Sequence, residues 1–228
     1  MKRFISIFLV ILSLSFVLIS CGNKSKYDKN YVYDGVSLVG KWQENPQNDE
    51  YYQVYEFTSD NKITLSAYSY GILMQQIDAT YKVEGNNTLA VTWGQDDYVD
   101  RNNFSITKDG EIIITQVIAS ETSEMELVPY NLTWNTDNSK IVGTWASNDY
   151  SGEIFEFRSD YTLRVKGSGD TYTIDYATNG DVVAFGGEFI ENFKEDVNVM
   201  TYEVEGEILT LTGKGENNAS VVLTFTRV

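Results

Sequence analysis

From residue 38 onward, apolar and polar residues alternate with a period of two, broken at short intervals by turn-forming residues. That period puts one set of side chains on a buried face and the other toward solvent, which predicts β-strands. No stripe of helical period competes with it. In the first half the inward set reads Tyr55 and Phe57, Ile63 and Leu65, Tyr81 and Val83, then Leu89, Val91 and Trp93; in the second it reads Phe155 and Phe157, Leu163 and Val165, Tyr202 and Val204, Leu209 and Leu211. Turns are predicted at Ser59-Asp60-Asn61, Glu84-Gly85-Asn86, Lys108-Asp109-Gly110, Asn179-Gly180 and Glu205-Gly206-Glu207. Asp-Gly and Asn-Gly supply the positive φ angles that tight hairpin turns require. Only Pro46 and Pro129 interrupt strand pairing.

The two halves carry related patterns. Leu38-Val39-Gly40-Lys41-Trp42 returns 103 positions later as Ile141-Val142-Gly143-Thr144-Trp145. Tyr55-Glu56-Phe57-Thr58-Ser59-Asp60 matches Phe155-Glu156-Phe157-Arg158-Ser159-Asp160, and Thr80-Tyr81-Lys82-Val83-Glu84-Gly85 matches Thr201-Tyr202-Glu203-Val204-Glu205-Gly206. Each copy is expected to close on an alternating strand, Tyr130–Trp134 in the first and Val221–Phe225 in the second. The reading is a tandem duplication, with about seven to nine strands per copy. A meander of that kind leaves an open edge unless it closes on itself, so the expected fold class is all-β, two antiparallel β-barrels in series.

The succession apolar-apolar-Gly-x-Trp, Phe strand, Ser-Asp turn, alternating strand, Tyr-x-Val-x-Gly and Leu-x-Leu resembles the lipocalin-like repeats of bacterial lipoproteins over nearly all of residues 38 to 228. The resemblance implies that Gly40 and Gly143 open the first strands and that Trp42 and Trp145 close the barrel floors. One departure stands out: the turn glycine usual after Ser-Asp is Asn61 in one copy and Tyr161 in the other. Asn tolerates a left-handed backbone better than Tyr, so the second hairpin is expected to use a different turn.

Ahead of the strands lies a different kind of sequence. Met1-Lys2-Arg3 is followed by 17 uncharged residues, Phe4 to Ser20, and then by Cys21. As a spanning helix this run is at the short end of the roughly 20 residues needed. Leu18-Ile19-Ser20-Cys21 resembles the lipobox of a bacterial lipoprotein, which implies cleavage before Cys21 and acylation of its thiol. The expected organisation is a signal peptide over 1–20, a lipid anchor and tether over 21–37, one repeat over 38–134, a linker over 135–140 and a second repeat over 141–228. The expected location is the cell membrane or outer membrane, exported and lipid-anchored through Cys21.

Composition narrows the chemistry. Without residues 1 to 20 the chain has 15 basic and 33 acidic residues, a formal charge of −18, which leaves no means of gripping phosphate backbones. No nucleic-acid partner is expected. The chain has no histidine, and its one cysteine, Cys21, is expected to be acylated, so His-dependent triads, thiolate nucleophiles and His- or thiolate-ligated metals are excluded. No catalytic residue, metal site or cofactor is expected, and the chain is read as non-enzymatic. Asp96, Asp97 and Asp100 with Asn102 and Asn103 form an oxygen-rich stretch between the strand ending at Trp93 and one starting near Phe104. It lacks the spacing of a calcium loop and reads as solvated.

Aromatic residues supply the candidate ligand site: Tyr68, Tyr70 and Trp93, with Tyr51, Tyr52 and Tyr98, are placed at a barrel mouth. A barrel of eight or so strands is also just wide enough to be filled by its own side chains. Two functional readings therefore stand open. One is a binding module that holds a small apolar ligand or envelope component; the other is a structural lipoprotein with solid barrels that binds another envelope protein.

Overall fold

The computed structural model describes residues 38–45, 50–85, 87–94, 98–107, 109–118, 121–131, 133–167, 169–187, 197–214 and 219–228. Cys21 and the lipobox residues Leu18, Ile19 and Ser20 lie outside the described residues, as do Asp96 and Asp97.

The period-two segments are strands. The first eight are β1 (Gly40–Glu44), β2 (Tyr51–Phe57), β3 (Lys62–Ser69), β4 (Ile72–Glu84), β5 (Thr88–Trp93), β6 (Tyr98–Ile106), β7 (Ile112–Ile118) and β8 (Glu121–Pro129). They form one closed barrel in chain order. The second eight are β9 (Gly143–Ser147), β10 (Ile154–Phe157), β11 (Thr162–Lys166), β12 (Thr171–Asn179), β13 (Val182–Gly186), β14 (Val197–Glu205), β15 (Ile208–Lys214) and β16 (Ser220–Arg227), closed in the same way. The first seam pairs Trp42 with Pro129, and the second pairs Trp145 with Arg227, both antiparallel. Closure leaves neither barrel with a free edge. The expected all-β pair of tandem antiparallel barrels is thus what the chain forms, with eight strands in each.

Each barrel has its own core. In the first, Tyr55, Phe57, Ile63, Leu65, Tyr81, Leu89 and Val91 are buried as the alternation predicts, joined by Phe104, Ile112, Ile114 and Leu127. In the second, Phe155, Phe157, Leu163, Val165, Tyr202, Leu209 and Leu211 are joined by Tyr176, Val183, Phe185 and Phe225. Val83, Trp93 and Val204 are only half-buried at the margins of these clusters.

Three sequence expectations are corrected. The closing strand of the first barrel is β8, Glu121–Pro129, and not Tyr130–Trp134. Pro129, lacking an amide donor, occupies the last position of that strand. Next, Tyr81 and Tyr202 are not counterparts. Tyr81 lies on the fourth strand of its barrel and Tyr202 on the sixth of the other. The counterpart of Tyr81 is Tyr176: Phe57 meets Tyr81 edge-on at 5.1 Å, and Phe157 meets Tyr176 edge-on at 5.3 Å. The Tyr81 hydroxyl donates to Thr58 O at 3.1 Å and the Tyr176 hydroxyl to Arg158 O at 2.6 Å, so each ties its strand to the preceding hairpin turn. Tyr202 does the same one hairpin later, donating to Gly180 O at 3.0 Å. The sequence match picked up a repeated local device in the wrong strand.

Finally, the two Ser-Asp hairpins use one turn, not two. Asn61 and Tyr161 have φ of 62° and 63°. Thr58 N donates to Lys62 O at 2.9 Å and Arg158 N to Thr162 O at 3.0 Å. A left-handed non-glycine residue costs about 1–2 kcal/mol. For Tyr161 that cost is offset by packing of its ring against the second core and by donation from its hydroxyl to Asn135 O at 2.6 Å.

By contacts the chain divides into two compact units, one holding residues 38–45, Val54–Leu65 and Ile77–Tyr130, the other holding residues 50–53, Ser66–Gln76 and Asn131–Val228. Within the second unit, Gly71 has φ 80° and lies so close to Trp134 that a Cβ there would stand 2.6 Å from the Trp134 Cβ. The Asn135 amide nitrogen of the backbone donates to Thr178 O at 2.8 Å, which fixes the chain just before the second barrel.

Candidate functional site

Inside the first barrel the apolar packing stops short of one end and leaves a cavity of about 50 Å³. Its floor is apolar: Phe57, Ile63, Leu65, Leu89 and Ile114 come from four different strands. Its other wall is not. Alternation on β6 sends Asp100 and Asn102 inward on the same face as Phe104, and β7 sends Gln116 inward on the face of Ile114. Tyr55, Trp93 and Met125 complete the lining.

The polar groups are coupled. Asn102 Nδ2 donates to Asp100 Oδ2 at 3.1 Å. The Tyr55 hydroxyl lies 3.2 Å from Glu44 Oε1 and 3.4 Å from Met125 Sδ. Burial pushes the Glu44 carboxyl above its ordinary value, and the hydrogen bond from Tyr55 offsets part of that rise. The ion pairs of this barrel among the described residues, Lys41–Glu56 at 3.1 Å, Lys62–Asp60 at 2.6 Å and Arg101–Glu84 at 3.0 Å, use neither Glu44 nor Asp100.

Of the aromatic residues expected at a mouth, Trp93 lines the cavity. Tyr68 and Tyr70 do not. Tyr68 is stacked on Tyr52 with ring centroids 5.1 Å apart, and Tyr70 meets Trp134 edge-on at 6.1 Å. The reason is parity: on β3 the core side carries Ile63 and Leu65, so Tyr68 falls on the opposite face. Tyr51 and Tyr98 are exposed. Asp100 and Asn102, expected in a solvated loop, sit on a strand that begins at Tyr98 rather than near Phe104. Their signal was the alternation Asp100, Asn102, Phe104, Ile106, hidden because its first two members are polar. Among the described residues no group of three or more carboxylates is placed to hold a metal ion.

Gly40 and Gly143 open their strands with φ of 148° and 151°. Trp42 Nε1 donates to Leu38 O at 2.8 Å, and Trp145 Nε1 donates to Ile141 O at 2.9 Å. Each indole therefore pins the apolar residue that precedes its strand, Leu38 or Ile141, into the base of its own barrel. Trp145 is fully buried with the Arg227 guanidinium 4.2 Å above its ring, whereas Trp42 is half-buried.

The fold and site define an all-β chain of two tandem eight-stranded barrels, of which the first carries a small mixed cavity. No family model matches the chain. No curated protein matches it either. Among solved structures, a chain from the crystal structure of the PCNA2-PCNA3 complex from Sulfolobus tokodaii aligns over 83% of this chain and 90% of that one, at 10% identity and a TM-score of 0.16. A likeness of that size carries no conclusion.

Proposed function

We propose that this protein is a non-enzymatic, lipid-anchored lipoprotein of the bacterial cell envelope, in which the first lipocalin-like barrel is a binding module for a small ligand and the second is a solid structural module. The observation that carries the reading is the difference between the two interiors. The first barrel leaves about 50 Å³ unfilled beside polar side chains, and the second packs Trp145, Phe155, Phe157, Tyr176, Phe185 and Phe225 with at most 2% exposure. Typical pockets for drug-sized molecules occupy about 300–1,000 Å³. The ligand is therefore a molecule or head group of a few heavy atoms. The close packing of the second interior supports the other reading in part, because a barrel filled by its own side chains would act through its outer surface.

The anchor rests on Leu18-Ile19-Ser20-Cys21 and the 17-residue uncharged run before it. Cys21→Ala is expected to release the protein from membranes or leave it unprocessed, and unchanged membrane fractionation and gel mobility refute the anchor. Native mass spectrometry of protein extracted from its source membrane tests the binding module. A mass increment that disappears on unfolding is expected, and repeated recovery of the unliganded mass counts against it.

A further inference from the structure

The second barrel shows how this fold fills the layer that is hollow in the first. Strand order and register fix the counterparts: Val91 faces Asp100 as Phe185 faces Asn198, and Leu89 faces Asn102 as Val183 faces Met200. Met200 is paired in turn with Gly213 at the position held by Gln116 in the first barrel. The same bookkeeping sets Tyr55 against Phe155, the residues paired with Trp42 and Trp145, and Glu44 against Ser147, the residues two beyond those tryptophans.

In the second barrel this layer is closed by apolar volume. Met200 lies across Gly213 so tightly that a Cβ there would stand 2.9 Å from Met200 Cγ, and Phe155 packs on Phe225 at 4.9 Å. Asn198 is turned to cap the chain, its Nδ2 donating to Gly187 O at 2.8 Å. Five counterpart positions thus change from Ser, Phe, Asn, Met and Gly to Glu, Tyr, Asp, Asn and Gln. Barrel closure does not require any of these polar side chains, and inward-facing carboxylates raise the cost of folding unless something pairs with them.

Resting on the reading of the first barrel as a binding module, we propose that its ligand is a small amphipathic cation: a protonated amine with a short apolar substituent. The ammonium meets the Asp100 carboxylate, whose other contact is the Asn102 amide, with Gln116 and Tyr55 offering further acceptors. The substituent lies on the floor formed by Phe57, Leu65, Leu89 and Ile114, beside the Trp93 ring. The inward groups include two carboxylates and no lysine or arginine among the described residues, so an anionic ligand of the same size is rejected.

The test titrates the full-length chain with propylammonium, propanol and propionate while following the indole N–H resonances of Trp93 and Trp145. Propylammonium is expected to shift the Trp93 signal and leave Trp145 still, with affinity about tenfold or more above that of propanol, the range of a hydrogen bond to a charged group. Propionate is expected to leave both signals unmoved. Asp100→Asn should remove the preference for the amine while propanol binding stays within about twofold. Asn102→Met, which copies the filling of the second barrel, should abolish binding of both, and an undisturbed indole N–H resonance of Trp42, which donates to Leu38 O in the first barrel, reports that this barrel is folded in the variants. Equal binding of propanol and propylammonium, unaffected by Asp100→Asn, overturns the cation while leaving the binding module intact. No Trp93 shift with any probe overturns both.

Discussion

The two Gly-x-Trp motifs occupy the same place in the two barrels, and the same substitution in each should have unequal consequences. In Trp145→Phe the indole N–H that reaches Ile141 O at 2.9 Å is lost, leaving a buried carbonyl short of a donor, at about 1–3 kcal/mol. The ring is fully buried, so the missing pyrrole portion leaves a void, and the face under Arg227 at 4.2 Å is reduced, which adds about 0.5–2 kcal/mol. The expected loss is about 2–4 kcal/mol, below the roughly 3–5 kcal/mol for deleting a whole buried aromatic ring and overlapping its lower end. Trp42→Phe removes an equivalent bond, 2.8 Å to Leu38 O, but Trp42 is half-buried and its seam partner is Pro129 instead of an arginine. There water can re-solvate the freed carbonyl, and the loss should be about 1–2 kcal/mol. A chain of two barrels need not unfold in one step, so a single denaturation midpoint would mix the effects. Hydrogen exchange of the full chain, read peptide by peptide over β1–β8 and β9–β16, gives the opening free energy of each barrel separately. An equal or larger loss for Trp42→Phe would refute the argument that burial and the guanidinium make the second floor the stronger.

Gly71→Ala forces a Cβ to within 2.6 Å of Trp134 at a φ of 80°, and should cost well over 2 kcal/mol; Gly85→Ala, at φ 62° with open space around it, should cost about 1 kcal/mol. Thermal melts that place the two variants together would show that the close approach is relaxed cheaply. Tyr161→Phe keeps the strained turn but loses the 2.6 Å bond to Asn135 O, and chemical denaturation should report a loss of about 0.5–1.5 kcal/mol. Glu44 gives a pH signature. Burial raises its folded carboxyl above 4.5, so between that value and the folded one the native barrel binds more protons than the unfolded chain. The first barrel should then lose stability as pH rises through that interval. Glu44→Gln should remove that slope. Asp60 and Glu84, held low by Lys62 and Arg101, contribute the opposite slope at lower pH in both proteins, so the difference between variant and parent isolates Glu44; identical pH profiles would refute the assignment.

The barrels were legible because alternation is a local property: Phe57, Leu65 and Val91 carry it without help from distant residues. Register was less so. Tyr81 and Tyr202 share neighbours and the same task, a hydroxyl closing on the previous turn, and sequence similarity follows the task rather than the strand number. Tyr161 misled for another reason. Its left-handed backbone is disfavoured by intrinsic preference and is held by a ring contact with Tyr176 and a bond to Asn135, neither of which is near it in sequence. The cavity was half legible. Trp93 stands at the end of an inward series, while Asp100 and Asn102 look like loop because polar residues on an inward face resemble solvent-facing ones until the far wall of the barrel is known.

The closing seams set the order of assembly. Trp42 meets Pro129 across 87 residues and Trp145 meets Arg227 across 82, so each barrel has to pay the entropy of its largest loop before its first and last strands reward it. That topology puts folding in the slow regime of high contact order, milliseconds to seconds. All eight strands of the first barrel precede β9 in the chain, so a polypeptide emerging amino end first can complete one closure before the strands of the other are available to mispair with it. Serial arrangement of two barrels, in place of interleaved strands, turns one difficult search into two shorter ones.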